Sequence, residues 1–485
     1  MKPHALRTFV VTGIALFMVT LDNLIVTNAL PAIREDLGTG LEGLEWTVNA
    51  YTLTFAVLLL PAAAIADRHG RRRLFMLGLA LFTLASAAAA MAPGIGVLIA
   101  ARAVQGVGGA IVAPLTLTLL AHAVPPARRA AALAAWSVMS GLGVALGPIV
   151  GGAVTEYATW EWIFWINVPA GVLVLALAPR FLTESRGPAQ RLDPLGAVLV
   201  TLGLLGVVLG LVRGNEHGWT SPQVLGSALA GIALLVAFVV HQARTPHPML
   251  PLTLFRSRGF TLVNLVSLAM CFGMFGVTFL LIQFLQMIGH LSPLEAGVRT
   301  LPWTAMPLLV APLTAPLASR LGTRPVITLS LVFQAAGLAW LAVRLAPAFD
   351  YAELVPGFVL VGIGMGLFFP PVTRLVLSFA PPTQTGVASG ISNISRQLGT
   401  LLGVAALGAV FTATGDMTTP QHFATGVTTV LWTATAVLTA AALATLAIPS
   451  TTGVSTPAPT STPPTTHPAP TPERPTTSSA PAPTN

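Results

Sequence analysis

Of the sixteen acidic residues in this chain, Asp22 alone stands deep within an apolar run, residues 8–30. A charged side chain in such a place costs about 2.5–3.5 kcal/mol by insertion scales, so it needs a purpose. Burial disfavours the charged form, and the carboxyl can hold a proton in one conformation and release it when its surroundings open to water on the other side. That is the least equipment for tying the movement of another solute to a proton gradient; a paired structural aspartate is the alternative. Arg102, in the run 95–121, is the second deeply placed charge. It can tune Asp22, exchange hydrogen bonds with Gln105 one turn on, or pack statically with its head drawn toward an interface. Arg374 and Arg396 are expected nearer the inner membrane face, where snorkelling accounts for them. Asn28, Gln105 and Asn393 are uncharged polar groups inside apolar runs, facing either a solute cavity or a neighbouring helix.

Two further patterns carry mechanical meaning. Asp67-Arg68-His69-Gly70-Arg71-Arg72-Arg73 lies between two apolar runs. Gly70 permits a tight turn, while Asp67 can cap a helix or pair with an arginine across a bundle interface, a latch on the inward gate that breaks as the bundles rock. The arginines by themselves serve as a topology signal, but Asp67 and Gly70 at this spacing ask for more. The run 132–154 contains Gly143, Gly147, Pro148, Gly151 and Gly152. Missing side chains admit a close neighbouring helix, and Pro148 frees a carbonyl and makes its helix pliable. As a nucleotide-binding glycine loop the stretch fails, because it follows no strand and opens no helix.

The elements that must position these groups are membrane helices. Hydrophobic residues make up 54% of the 485 and charged residues only 8%, against about 25% in soluble domains. Runs long enough to cross a bilayer number fourteen: 8–30, 46–66, 74–92, 95–121, 132–154, 163–181, 193–213, 224–241, 261–286, 298–318, 326–345, 354–378, 387–411 and 426–448. With both termini inside, seventeen of the 24 basic residues fall in inner segments and only four in outer loops, while eleven acids, Glu35, Asp36, Glu42 and Glu45 among them, fall outside. A miscounted span would scramble that alternation. Trp46, Trp160, Trp162 and Trp219 near the outer boundaries read as interfacial anchors. Asp22 and thirteen later spans argue against a cleaved leader. A net charge of +8 spread over short loops, with Lys2 as the single lysine, offers no nucleic-acid surface and no P-loop. Cys271 reads as a small packing residue, and the spans hold no metal-ligand cluster and no nucleophile beside a base.

The chain also repeats itself. Gly106, Gly108, Pro114, Pro125, Pro126, Gly143 and Gly147 recur 256 residues on as Gly362, Gly364, Pro370, Pro381, Pro382, Gly399 and Gly403. A shift of 252 takes Ala66, Arg68, Gly70 and Arg72 to Ala318, Arg320, Gly322 and Arg324. Residues that fix backbone shape do not line up this way by chance. An all-α integral membrane fold follows: a six-helix bundle over residues 8–181, an inserted helix pair with its linkers over 182–258, a second six-helix bundle over 259–448, and a disordered Pro/Thr-rich cytoplasmic tail over 449–485. The repeat does not preserve the charges, since Asp22 corresponds to Met274 and Arg102 to Phe358.

Four stretches resemble the signature motifs of the fourteen-span drug:H+ antiporters, the EmrB/QacA-like branch of the major facilitator superfamily: Leu21-Asp22 through Pro31, Ala66 through Arg72, Arg102 through Gly106, and the glycines leading to Gly147-Pro148 and Gly152. Trp162 through Gly171 looks like a fifth. The resemblance covers residues 8 to 448. It implies proton coupling through Asp22 and Arg102, gating by Asp67 with Arg68, Gly70, Arg71 and Arg72, and export rather than import. Ala63 replaces the gating motif's usual leading glycine, and Glu161 stands where an arginine is usual. Spans 9 to 14 lack the extra carboxylates that exporters of dications look to use. The expected protein is a monomer in the inner cell membrane with both termini cytoplasmic, driven by the proton gradient without metal or cofactor, and exporting a small lipophilic compound. Transport of one metabolite by the same fold, or a non-transporting sensor or scaffold, are the alternatives.

Overall fold

The computed structural model describes residues 3–125, 128–187, 193–246, 248–381 and 384–449, so residues 450–485 of the Pro/Thr-rich tail and the repeat pair Pro126 and Pro382 lie outside the described residues. Fourteen described helices are long and apolar enough to cross a membrane, in an all-α integral membrane fold. In chain order the helices are α1 (Pro3–Leu37), α2 (Leu41–His69), α3 (Arg71–Ala90), α4 (Ile95–Ala123), α5 (Arg129–Tyr157), α6 (Trp162–Trp165), α7 (Asn167–Phe181), α8 (Pro194–His217), α9 (Pro222–Arg244), α10 (Arg258–Met287), α11 (Pro293–Arg299), α12 (Leu301–Thr304), α13 (Met306–Leu321), α14 (Thr323–Arg344), α15 (Tyr351–Ser378), α16 (Thr385–Thr414) and α17 (Pro420–Thr445). Short helices α6, α11 and α12 lead into longer ones, so the span count matches the sequence reading. Most spans outrun their apolar cores by a turn or more, because backbone hydrogen bonding continues into the headgroup region.

Glycines at matching repeat positions do matching work. A β-carbon on Gly106 would strike Tyr51 and Thr54 of α2, and one on Gly108 would strike Phe82 of α3. In the second half Gly362 meets Pro302 and Trp303 of α12, and Gly364 meets Ser330 and Gln334 of α14. Gly143 and Gly147 lie on Thr20 and Leu24 of α1, as Gly399 and Gly403 lie on Leu268 and Phe272 of α10. Helices separated only by glycine approach to backbone contact, and that approach fixes their register.

Helices α8 and α9 form a hairpin through Gly203, Gly206, Gly210 and Gly231. Asp193 ties its base. The carboxylate caps α8 by accepting from the Gly196 N–H at 2.8 Å and also accepts from Gln242 Nε2 at 2.6 Å, with His241 Nε2 2.8 Å away. Burial alone would raise this carboxyl, but the bonds from Gly196, His241 and Gln242 hold it below its ordinary value. Outside the hairpin α8 packs its Leu204, Val208 and Val212 against Leu53 and Val57 of α2 and Leu401 and Ala405 of α16.

Two boundary expectations need correction. Trp160 is 4% exposed and donates its indole N–H to Asp36 at 2.9 Å, so it is an internal brace and no headgroup anchor. Glu45 is no loop acid. It lies in the first turns of α2, is 3% exposed, and presses on α16 so closely that a β-carbon at Gly408 would land on its Oε1.

Candidate functional site

The sequence brings Asp22 to the middle of α1 and Arg102 to the third turn of α4, and the packing of α1 against α4 sets them together. Arg102 Nη1 donates to Asp22 Oδ2 at 2.6 Å, with both side chains essentially inaccessible. Asp22 Oδ1 accepts from Gln105 Nε2 at 2.7 Å and from Asn167 Nδ2 at 2.8 Å. Gln105 also accepts from Arg102 Nη1 at 2.7 Å and donates to Ser86 Oγ at 2.9 Å. Arg102 Nε donates to the Thr47 carbonyl at 3.2 Å, and the guanidinium lies 4.4 Å from the Tyr51 ring centre. Helices α1, α2, α3, α4 and α7 thus converge on one carboxylate.

Every partner of Asp22 in this network is a donor. The arrangement suits the carboxylate and offers no acceptor for a carboxyl proton, so this conformation is built around the charged form. Gln105, for which the sequence allows a solute cavity or a bond to another helix, is fully enclosed in this network. Asn167 was not anticipated, although it opens α7 within the Trp162 to Gly171 stretch.

Asn28 likewise bonds to other helices in this conformation. Fully buried, it donates from Nδ2 to the Pro148 carbonyl of α5 and, at 3.2 Å, to the Pro293 carbonyl, while Gln286 Nε2 of α10 donates to the Asn28 carbonyl at 2.9 Å. It clamps the two halves together. Nearby, Glu156 at the end of α5 accepts from Ser292 Oγ at 2.5 Å and from the Leu294 N–H at 3.0 Å. Gly151 faces Ile25 and Asn28, whereas Gly152 faces the Pro293 and Leu294 backbone. All of this lies at the membrane face opposite Gly70, and there the halves are closed on each other.

At the arginine-rich face, Gly70 separates α2 from α3 at φ +113°, a conformation that favours glycine. Asp67 does not reach across the interface. Its Oδ1 pairs with Arg71 Nε at 2.8 Å within the same turn, because a partner four residues away is met without any rearrangement of the bundles. Glu184, absent from the sequence expectations, accepts from the N–H groups of Arg72 at 3.0 Å and Arg73 at 3.3 Å and so caps α3. The Arg71 N–H donates to the Ser185 carbonyl, and the Gly187 N–H donates to the Asp67 carbonyl. The segment after α7 therefore holds the gating turn. Arg68 is exposed. A β-carbon on Gly70 would sit 2.9 Å from the Glu184 carboxyl, while one on its repeat partner Gly322, at φ +91°, would meet only Pro325 at 3.6 Å. Gly70→Ala is expected to cost about 1–3 kcal/mol from backbone strain, and more than Gly322→Ala because the α3 cap is also displaced. Midpoint temperatures of the two variants in detergent check the order. Equal losses would show that Glu184 adds nothing.

Asn393 is half-buried on α16, one turn before Arg396. Arg374 is exposed near the end of α15, as expected, but Arg396 is not near a helix end.

The sequence profile of the Major Facilitator Superfamily matches residues 12–404 and, in a second match, 290–480. Similar proteins include "Multidrug resistance protein Stp" of Mycobacterium tuberculosis (strain CDC 1551 / Oshkosh), 36% identical over 427 residues, 87% of this chain and 79% of that protein. "Cephamycin export protein CmcT" of Amycolatopsis lactamdurans is 37% identical over 87% of each chain. "Methylenomycin A resistance protein" of Streptomyces coelicolor (strain ATCC BAA-471 / A3(2) / M145) is 35% identical over 82% of this chain and 84% of its own. Among solved structures, a peptide transporter POT in complex with sulfate superposes with TM-score 0.67 at 17% identity, covering 91% of this chain and 94% of its own. The nucleoside transporter NupG gives TM-score 0.63 at 13% identity, covering 92% and 100%. At such identities these two structures speak to the fold alone.

Proposed function

The chain belongs to the major facilitator superfamily, a family of transporters and not of enzymes, and on that premise we propose that it exports small lipophilic or amphiphilic compounds, antibiotics among them, in exchange for protons by alternating access. The carrying observation is the enclosed Asp22 carboxylate with three donors around it, one of them the Arg102 guanidinium. In this conformation the far face is closed and the donors around Asp22 suit its carboxylate. When the bundles rock open at the far face, water reaches α1, a proton neutralises Asp22, and the attraction to Arg102 falls away. Return to the present conformation restores the ion pair and expels the proton on the arginine-rich side.

The positive-inside bias supports a cytoplasmic position for that arginine-rich face, with both termini on the cytoplasmic side of the cell membrane. The repeat and the inserted pair divide the chain into bundles over 8–181 and 259–448, joined through 182–258. The protein acts as a monomer in the lipid bilayer, and its energy source is the proton gradient, with no metal or cofactor. Asp67, Arg71 and Glu184 hold the cytoplasmic turn between α2 and α3, and Gly143, Gly147, Pro148, Gly151 and Gly152 let α5 slide on α1 and α11.

The test is reconstitution of the purified chain in liposomes with an imposed pH gradient, followed by a panel of labelled antibiotics and aromatic dyes. At least one compound is expected to accumulate against its gradient and to stop when a protonophore is added. Uphill movement that survives collapse of the proton gradient would rule out the proposed coupling.

A further inference from the structure

Arg396 is the twelfth of the 30 residues of α16, about 5 Å along the axis from the helix midpoint. It lies in the N-terminal half of α16, the half on the arginine-rich side, but well inside the span and away from the helix end where snorkelling is easiest. Its guanidinium lies 5.7 Å from the Phe369 ring of α15. No carboxylate lies within ion-pair reach of it among the described residues. None is at hand in its own bundle: the sequence has no acid from 217 to 294 or from 354 to 415, and therefore none in α10 or α16. Asp22, the membrane carboxylate of the other half, is already occupied by Arg102, Gln105 and Asn167. The repeat position 256 residues earlier is Ser140, so architecture does not require the cation.

An uncompensated guanidinium near the membrane midplane is costly, and a half-buried one can be compensated from outside the protein. With Asp22 and Arg102 cancelling, the central layer carries a net positive charge in its second half. We propose that Arg396 is a substrate-binding residue and that the exported compounds are aromatic or amphiphilic monoanions, bearing a carboxylate or sulfonate. The guanidinium takes the anionic group through charge-assisted hydrogen bonds, the Phe369 ring packs on the apolar body, and Asn393, one turn away on the same helix, is placed for a polar substituent. Gly399 and Gly403, packed on the α10 backbone, hold the register of Arg396. This assignment rests on the exporter function proposed above. It adds an electrical consequence: one proton inward for one monoanion outward moves two charges in the direction that an inside-negative potential favours.

The experiment uses full-length chain in liposomes under a pH gradient and two bicyclic probes of fixed charge, naphthalene-2-sulfonate and N-methylquinolinium. Wild type is expected to transport the sulfonate faster than the cation, and an inside-negative potassium diffusion potential is expected to speed sulfonate export. Arg396→Gln is expected to lower the sulfonate-to-cation rate ratio about tenfold, the worth of one charged hydrogen bond, while Arg396→Lys keeps most of it. A wild type that moves the cation and not the sulfonate overturns the anion assignment and leaves the exporter function standing. So does an Arg396→Gln variant that slows both probes equally, since that marks a structural residue. A wild type that moves neither probe, nor any compound of the wider panel, takes down the exporter function and the anion assignment with it.

Discussion

Asp22→Asn is expected to abolish uphill export, leaving a rate under a pH gradient that matches protein-free liposomes. An amide cannot lose a proton in the accessible range, so neither direction of rocking can be paid for by the gradient. The change also harms the fold. Arg102, 1% exposed, would be left with Gln105, the Thr47 carbonyl and the Tyr51 ring but no countercharge, a loss of about 3–5 kcal/mol for a broken buried pair. A poorly folded variant would mimic a coupling defect, and the double variant Asp22→Asn/Arg102→Gln separates the two. Removing both charges is expected to recover most of the lost stability, within about 1–2 kcal/mol of wild type, without recovering uphill transport. Thermal unfolding and flux measured on the same preparations give both readouts. Full-speed pumping by a stable Asp22→Asn protein would sink the assignment of Asp22 as the proton carrier.

The membrane architecture was legible because its signals are one-dimensional. A span is a run of apolar residues of fixed length, and a repeat is a fixed offset between glycines that each hold a helix contact, as Gly108 and Gly364 do. Asp22 and Arg102 were legible for a related reason, since a charge inside an apolar run announces its own cost. What the sequence hid is convergence. Asn167 reaches Asp22 across 145 residues and Glu184 reaches Arg72 across 112, and neither distance leaves a mark in local pattern. At Glu45 a charge ends the apolar run in sequence, whereas the α2 helix continues past it and buries it against Gly408. For Asn28 and Gln105 the sequence leaves two readings open. A polar side chain in a span looks the same in sequence whether it meets solute or a carbonyl of another helix, and here Pro148, whose ring already interrupts the α5 ladder, supplies the carbonyl that takes Asn28.

Gly152→Val is expected to prevent closure at the far face. A β-carbon there would fall 2.3 Å from the Pro293 carbonyl oxygen and 2.7 Å from the Leu294 Cα, backbone atoms that no rotamer change can move aside. The neighbouring Gly297 stands against the Pro148 carbonyl on the same seam, so α11 has no slack in which to retreat. Helices α5 and α11 must separate, and Glu156 then loses Ser292 and Leu294, as Asn28 loses Pro293. Overpacking of about 1–3 kcal/mol that acts on one conformation only shifts the balance between the two by roughly 5- to 150-fold, and export is expected to fall by about tenfold or more because the cycle stalls with the far face open. Spin labels on cysteines replacing the exposed Tyr157 and Val298, in a Cys271→Ala background, report the separation of α5 from α11 directly. The interspin distance is expected to lengthen in Gly152→Val and to stay put in Gly226→Val, where nothing lies within 4 Å of the added group. An unchanged distance distribution with wild-type flux would mean that the far face closes by some other seam.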